Sequence, residues 1–98
     1  MKIKTLVGIS LALLLAACSA DRPDGSVLAQ EKGCIACHGM DGKAIADSYP
    51  NLNGQWERYL RLQLRAYRSG KRENVVMNGM AATLTDEEIS ALAEFYGS

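Results

Sequence analysis

The sequence predicts an all-α fold. Apolar residues recur three or four positions apart over residues 55–70 and again over residues 85–96, a spacing that places them on one face of a helix. No segment alternates between apolar and polar residues with the period of two that is typical of a strand. The chain has 98 residues, enough for one domain at most, so we expect a single small domain of about three to five helices.

The first helix is predicted from Ser26 to Lys32. Asp24 or Ser26 can serve as its N-cap, and Gly33 is expected to end it. Residues 39–54 are rich in glycine, aspartate, asparagine and proline and have no helical period, so they are predicted to form a loop.

The strongest helix is predicted over residues 55–70 and ends at Gly70. Its apolar face is formed by Trp56, Leu60, Leu64 and Tyr67. Beside that face runs a basic stripe, which we interpret first as a solvated surface and alternatively as a docking strip for an acidic partner: Arg58, Arg61, Arg65, Arg68 and Arg72.

Residues 71–84 show no clear period and are predicted to be irregular. The last helix is predicted to begin at Thr85, because the sequence TDEE forms a capping box between Thr85 and Glu88. Its buried face is expected to consist of Ile89, Leu92, Ala93 and Tyr96.

The N-terminal segment has the pattern of an export signal. Lys2 and Lys4 precede an apolar run of about twelve residues, which is too short to span a membrane. The sequence LAAC, ending at Cys18, resembles the lipobox of bacterial lipoproteins, and this resemblance implies that Cys18 is lipid-modified and becomes the first mature residue. An ordinary secretory signal cut after the sequence CSA is the alternative.

These features divide the chain into a signal peptide (residues 1–17), an anchored tether (residues 18–24) and a folded domain (residues 25–98). We expect the protein in the bacterial cell envelope, facing the periplasm and lipid-anchored to a membrane. Ser19 after the cysteine favours the outer membrane by the same resemblance. Basic and acidic side chains are equal in number, so nothing indicates a nucleic-acid partner.

The hexapeptide CIACHG, residues 34–39, contains the only histidine of the chain. A dithiol redox centre would be expected beside a βαβ unit, and no strand is predicted. A structural zinc site needs four ligands, and Cys34, Cys37 and His38 supply three. Cys-x-x-Cys-His is instead the pattern of covalent haem attachment, so the sequence predicts one haem c.

Helical spacing explains why this pattern suits a haem. Cys34 and Cys37, three residues apart, face the same way and can both bond to the vinyl groups of one porphyrin. His38 lies on that face and can point at the iron. A covalently held haem would also stabilise a domain too small to rely on its own apolar core.

The chain resembles the class I cytochromes c, especially small bacterial monohaem forms and single halves of dihaem periplasmic forms. The resemblance rests on the segments GSVLAQEKGCIACHGMDG, YPNLNGQWERYLRLQLRAYRSGKR and MNGMAATLTDEEISALAEFY. It implies a small cytochrome c fold wrapped around the haem, with Gly25 of the first helix crossing close to Phe95 of the last.

The sixth iron ligand is expected to be a methionine, because no second histidine exists. Met40 is too close to His38 to reach the other face of the ring, which leaves Met77 or Met80. The resemblance places the ligand about eight residues before the N-cap of the last helix, which favours Met77. It also implies that a carbonyl of Pro50 accepts a hydrogen bond from His38.

Polar groups of Gln55, Trp56 and Tyr59 could contact the haem propionates, although Trp56 could equally be a core residue. Histidine–methionine ligation leaves no open position for a substrate. We therefore expect an electron-transfer protein that is not an enzyme, has no small-molecule substrate, and has redox proteins as partners. A gas or redox sensor with a displaceable methionine is the main alternative, and a haem-free dithiol oxidoreductase is the other.

Overall fold

The computed structural model describes residues 23–98 and is all-helical over that range, with no strand, so the predicted fold class is confirmed. The predicted signal peptide, Cys18 and most of the tether lie outside the described residues. Within residues 23–98, no helix combines the length and apolar character needed to cross a membrane. The helices are α1 (Gly25–Glu31), α2 (Ile35–His38), α3 (Glu57–Ser69), α4 (Val75–Ala81) and α5 (Asp86–Tyr96).

Helix α1 crosses α5 at a point where only a glycine fits. Asp24 is the N-cap of α1, and its Oδ1 accepts a hydrogen bond of 2.9 Å from the backbone N–H of Ser26. At Gly25, an added Cβ would collide with the carbonyl oxygen of Ala91 and would lie 2.6 Å from Cβ of Phe95. The predicted crossing of Gly25 and Phe95 is therefore confirmed.

Helix α5 forms the centre of the core and packs against both α1 and α3. The predicted capping box is present: Thr85 Oγ1 accepts from the N–H of Glu88 at 3.1 Å, and Glu88 Oε1 accepts from the N–H of Thr85 at 3.0 Å. This hydrogen bond to the Thr85 N–H is the main reason that the pKa of Glu88 is lowered. All four residues predicted for the buried face of α5 are buried.

Helix α3 begins later than its sequence pattern predicts. Trp56 has an extended backbone and is the N-cap residue before Glu57, and its side chain is 77% exposed. The prediction that Trp56 belongs to the apolar helical face, or to the protein core, is therefore wrong. Leu60 is buried and Leu64 packs against the core, so the rest of the predicted face is present.

Residues 71–84 are not irregular throughout, because Val75–Ala81 forms α4. Polar side chains stabilise this helix: Asn74 Oδ1 accepts from the N–H of Met77 at 3.0 Å, and Asn78 Nδ2 donates to the carbonyl oxygens of Tyr67 (2.8 Å) and Arg72 (2.9 Å). Val75 is 94% exposed. Hydrophobic periodicity does not reveal α4, because the position of this helix depends on the side-chain hydrogen bonds of Asn74 and Asn78.

We expect Gly25→Ala to lower the free energy of unfolding of the haem-loaded protein by about 1–3 kcal/mol, because the new methyl group would overpack the crossing of α1 and α5. Gly79→Ala is the matched control. Gly79 lies within α4 with open space around its Cβ position, so alanine there should raise the free energy by about 0.5–1 kcal/mol. Denaturant titration measures both, and equal effects would contradict the proposed close crossing.

Candidate functional site

A cavity with mostly apolar walls lies between α3, α4, α5 and the CIACHG segment. Its empty volume, counted out to the open mouth and including the solvent-filled space there, is about 810 Å³. Leu60 and Leu64 of α3 and Leu92 of α5 contribute to the wall, so the same helical faces that build the core also build the cavity.

His38 lines this cavity and is 7% exposed. Its Nδ1 lies 2.9 Å from the carbonyl oxygen of Pro50, and Pro50 is the residue implied by the resemblance. A carbonyl can only accept, so Nδ1 must carry the proton in this hydrogen bond. In the neutral imidazole with this tautomer, the other ring nitrogen, Nε2, carries no proton and is available as a ligand atom.

The 39–56 loop folds back on itself to bring Pro50 to the histidine. The carbonyl oxygen of Gly42 accepts hydrogen bonds from the N–H groups of Leu52 (2.7 Å) and Asn53 (3.1 Å). Gly42 has a φ of +81°, and an added Cβ would lie 2.7 Å from the backbone nitrogen of Asn53. Both the left-handed conformation and the close approach require glycine at this position.

A hydrogen bond from Tyr96 connects α5 to the CIACHG segment. Its hydroxyl group donates a hydrogen bond of 2.9 Å to the carbonyl oxygen of Gly39, the residue after His38, and both residues are buried. Burial raises the pKa of Tyr96 to about 12, with smaller contributions from Cys34 and Asp41, so the hydroxyl stays protonated and remains a donor. The CIACHG segment is thus held by two hydrogen bonds, one from His38 to Pro50 and one from Tyr96 to Gly39.

The two cysteines of the motif differ in their surroundings. Cys34, the N-cap residue of α2, lines the cavity, while Cys37, three residues further along and within α2, is half-buried and is not part of the wall. Burial is the main cause that raises the pKa of the Cys34 thiol. Catalytic dithiols work through a thiol of lowered pKa, so this environment does not favour a dithiol oxidoreductase.

The three methionines of the described chain are placed differently. Met77 of α4 lines the cavity together with His38. Met40 is 48% exposed and Met80 is 36% exposed, and neither is part of the wall. Met77 is therefore the methionine whose thioether shares a cavity with the imidazole.

Among the predicted neighbours of a haem, Gln55 and Tyr59 line the cavity and Trp56 does not. Two residues that the sequence reasoning did not select, Gln63 and Arg72, also line it. Gln63 lies four residues after Tyr59 on α3, so helical spacing alone could have identified it. Arg72 lies beyond the end of α3, and its position depends on how the chain turns there.

The donor set fits a haem better than an isolated metal ion. Within residues 23–98, no three His, Cys, Asp or Glu side chains are grouped so that they could hold a metal ion. The cavity instead combines one imidazole nitrogen, one thioether and a thiol with apolar walls. These are the donors and the surroundings that a haem with an iron ligand on each face requires.

The fold and the site together define a small helical protein of the haem c class. Residues 23–97 match the cytochrome c family model, and the chain therefore belongs to the cytochrome c family. As a member of that family it carries covalently bound haem c and is an electron-transfer cytochrome.

Comparison with characterised proteins gives the same assignment. The chain is 46% identical to cytochrome c-554(548) of Halomonas halodenitrificans over 66% of its length and 82% of that protein. It is 48% identical to the thiosulfate dehydrogenase electron acceptor of Thiomonas intermedia, over 64% of its length but only 30% of that protein. A solved structure of Acidithiobacillus ferrooxidans cytochrome c4 superimposes with a TM-score of 0.70 at 29% identity, covering 81% of this chain and 49% of that one.

We expect Tyr96→Phe to lower the free energy of unfolding by about 1–3 kcal/mol, because the buried carbonyl of Gly39 loses its donor. Tyr49→Phe is the control, since Tyr49 is 40% exposed and its hydroxyl makes no hydrogen bond within the described residues. Denaturant unfolding of both haem-loaded variants measures the difference. If the two variants lost equal stability, the Tyr96–Gly39 bond would have no special role.

Proposed function

We propose that this chain is a lipid-anchored monohaem electron carrier on the periplasmic side of a bacterial membrane, with Cys34 and Cys37 holding the haem and His38 and Met77 as its axial ligands. The observation that supports it most directly is that His38 and Met77 line one apolar cavity beside Cys34. When bound, haem c supplies a one-electron Fe(II)/Fe(III) couple.

The residues around the cavity are suited to electron transfer. His38 is oriented by the Pro50 carbonyl, so that its unprotonated Nε2 is presented without rearrangement. Met77 lies in the first turn of α4, where the Asn74 cap positions its backbone. If His38 and Met77 both bind the iron, no coordination position would remain for a substrate, which is why we propose a carrier rather than an enzyme.

The apolar walls have a second effect on the redox reaction. Leu60, Leu64 and Leu92 line the site. A haem enclosed by such apolar side chains would be shielded from water, which disfavours the more highly charged ferric state. A soft thioether ligand acts in the same direction. We therefore propose a carrier with a raised reduction potential that exchanges electrons with redox proteins. The Thiomonas relative, named as an electron acceptor of thiosulfate dehydrogenase, supports partners of this kind.

The ligand assignment is tested by replacing each methionine. Met77→Ala should abolish the long-wavelength iron–sulfur absorption of the ferric protein, lower the reduction potential and let carbon monoxide bind the ferrous form, because one axial position opens. Met80→Ala, the matched control three residues away, should keep the absorption. The reverse result would assign the ligand to Met80, and carbon monoxide binding by the wild type would favour the sensor alternative.

The membrane anchor is tested at the proposed lipid-modified cysteine. Cys18→Ser should release the protein into the soluble periplasmic fraction and abolish labelling by radioactive fatty acid, while the haem content stays unchanged. Ser19→Asp is the control, because it should keep the label but redirect the protein from the outer to the inner membrane. Wild-type protein that carries no acyl group and starts at another residue would contradict the proposal.

A further inference from the structure

Arg72 has the only permanently charged side chain among the residues that line the cavity of the described chain, and no aspartate or glutamate lines it. The other polar side chains of the wall are amides and phenols, together with the His38 imidazole and the Cys34 thiol. Arg72 itself is exposed overall. It therefore lies at the mouth, where its guanidinium borders both the cavity and the solvent.

The side chain of Arg72 is held by neighbours that also line the cavity. Nη1 of Arg72 donates a hydrogen bond of 2.7 Å to Oε1 of Gln63. The guanidinium carbon lies 4.9 Å from the ring centroid of Tyr67, a cation–π distance. Gln63 and Tyr67 are four residues apart on α3, so the guanidinium packs against one face of that helix.

The backbone of Arg72 is fixed as well. Its N–H donates to the carbonyl oxygen of Ala66 at 3.1 Å, and its carbonyl oxygen accepts from Asn78 Nδ2 at 2.9 Å. Arg72 is thus connected to both α3 and α4. An arginine held in this way contributes a fixed charge rather than a mobile surface charge.

The partners of Arg72 leave its charge uncompensated. Two arginines of α3 are paired with carboxylates, Arg61 with Glu57 at 3.1 Å and Arg68 with Asp86 at 2.7 Å. Arg72 contacts an amide and an aromatic ring instead, and no carboxylate of the described chain lies within ion-pair distance of it. The guanidinium is therefore oriented at the mouth of the cavity without an anionic partner among residues 23–98.

A haem brings anions to this site, because it carries two propionate carboxylates. A carboxylate at an apolar cavity needs a charged or hydrogen-bonding partner, and a guanidinium offers the best geometry for one. We propose that Arg72, held in place by Gln63 and Tyr67, binds a haem propionate and raises the reduction potential of the haem. A fixed cation near the iron favours the less positive ferrous form. This inference rests on the proposed function.

The test compares reduction potentials of haem-loaded variants. Arg72→Gln should shift the ferrous–ferric equilibrium towards the ferric form by roughly three- to tenfold, as expected for a partly screened unit charge; tenfold corresponds to about 59 mV for one electron. Arg72→Lys should recover part of the shift, because lysine keeps the charge but loses the planar fork. Gln63→Leu should give a smaller shift in the same direction as Arg72→Gln.

Arg65→Gln is the matched control, because Arg65 is an exposed arginine of α3 that does not line the cavity. It removes the same net charge and should shift the equilibrium by less than about twofold, an effect that added salt abolishes. The Arg72→Gln shift should persist in salt. If Arg72→Gln fails to mature, the Arg72→Lys and Gln63→Leu potentials decide the question.

The inference fails if Arg72→Gln keeps its covalent haem and its iron–sulfur absorption but has the reduction potential of the Arg65→Gln control. It also fails if the reduction potentials of Arg72→Lys and Gln63→Leu both equal that of the wild type. Failure of the proposed function would look different. In that case the wild type itself would lack the covalent haem or the iron–sulfur absorption.

Discussion

The structure depends on one constraint: a short chain has to enclose a planar cofactor that is larger than any side chain. Of the apolar residues in the described chain, only Ile89 combines large volume with full burial. The inner faces of α3 and α5 serve both as core and as cavity wall. Covalently bound haem c is therefore a structural element of this domain, and loss of the haem should weaken the packing between these helices.

Polar contacts hold the parts of the chain that approach the haem. The Pro50 carbonyl orients His38, the Tyr96 hydroxyl holds Gly39, and Asn78 joins α4 to the end of α3. Arg72 belongs to the same set, since it is fixed by α3 and α4 and adds a charge at the mouth. The positions of His38, Gly39 and α4 are thus set by polar contacts with neighbouring segments.

Much of the fold could be predicted from local chemistry. The capping box at Thr85, the apolar spacing of α5 and the glycine at the crossing of α1 act within a few residues, and all three are present. Helical spacing places Trp56 on the apolar face of α3, and this prediction is wrong because spacing does not show where a helix begins. Helix α4 cannot be recognised from periodicity because its exposed valines hide the helical period, and side-chain caps from Asn74 and Asn78 stabilise it instead.

The candidate site was predictable to the extent that its chemistry is local. The spacing of Cys34, Cys37 and His38 indicates a haem without any knowledge of the fold, and the place of Met77 on the cavity agrees with the spacing argument from related cytochromes. Arg72 could not be found in this way. Five arginines at helical spacing look alike in sequence, and only the turn after Gly70 shows which of them reaches the cavity.

The most direct test is the mass of the peptide from Gly33 to Lys43, which trypsin releases after Lys32 and Lys43. Protein matured in a bacterium that can attach haem c should yield this peptide heavier by one haem, and Cys34→Ser or Cys37→Ser should each leave the haem attached through a single bond. A peptide of unmodified mass from wild-type protein that is folded would contradict the account.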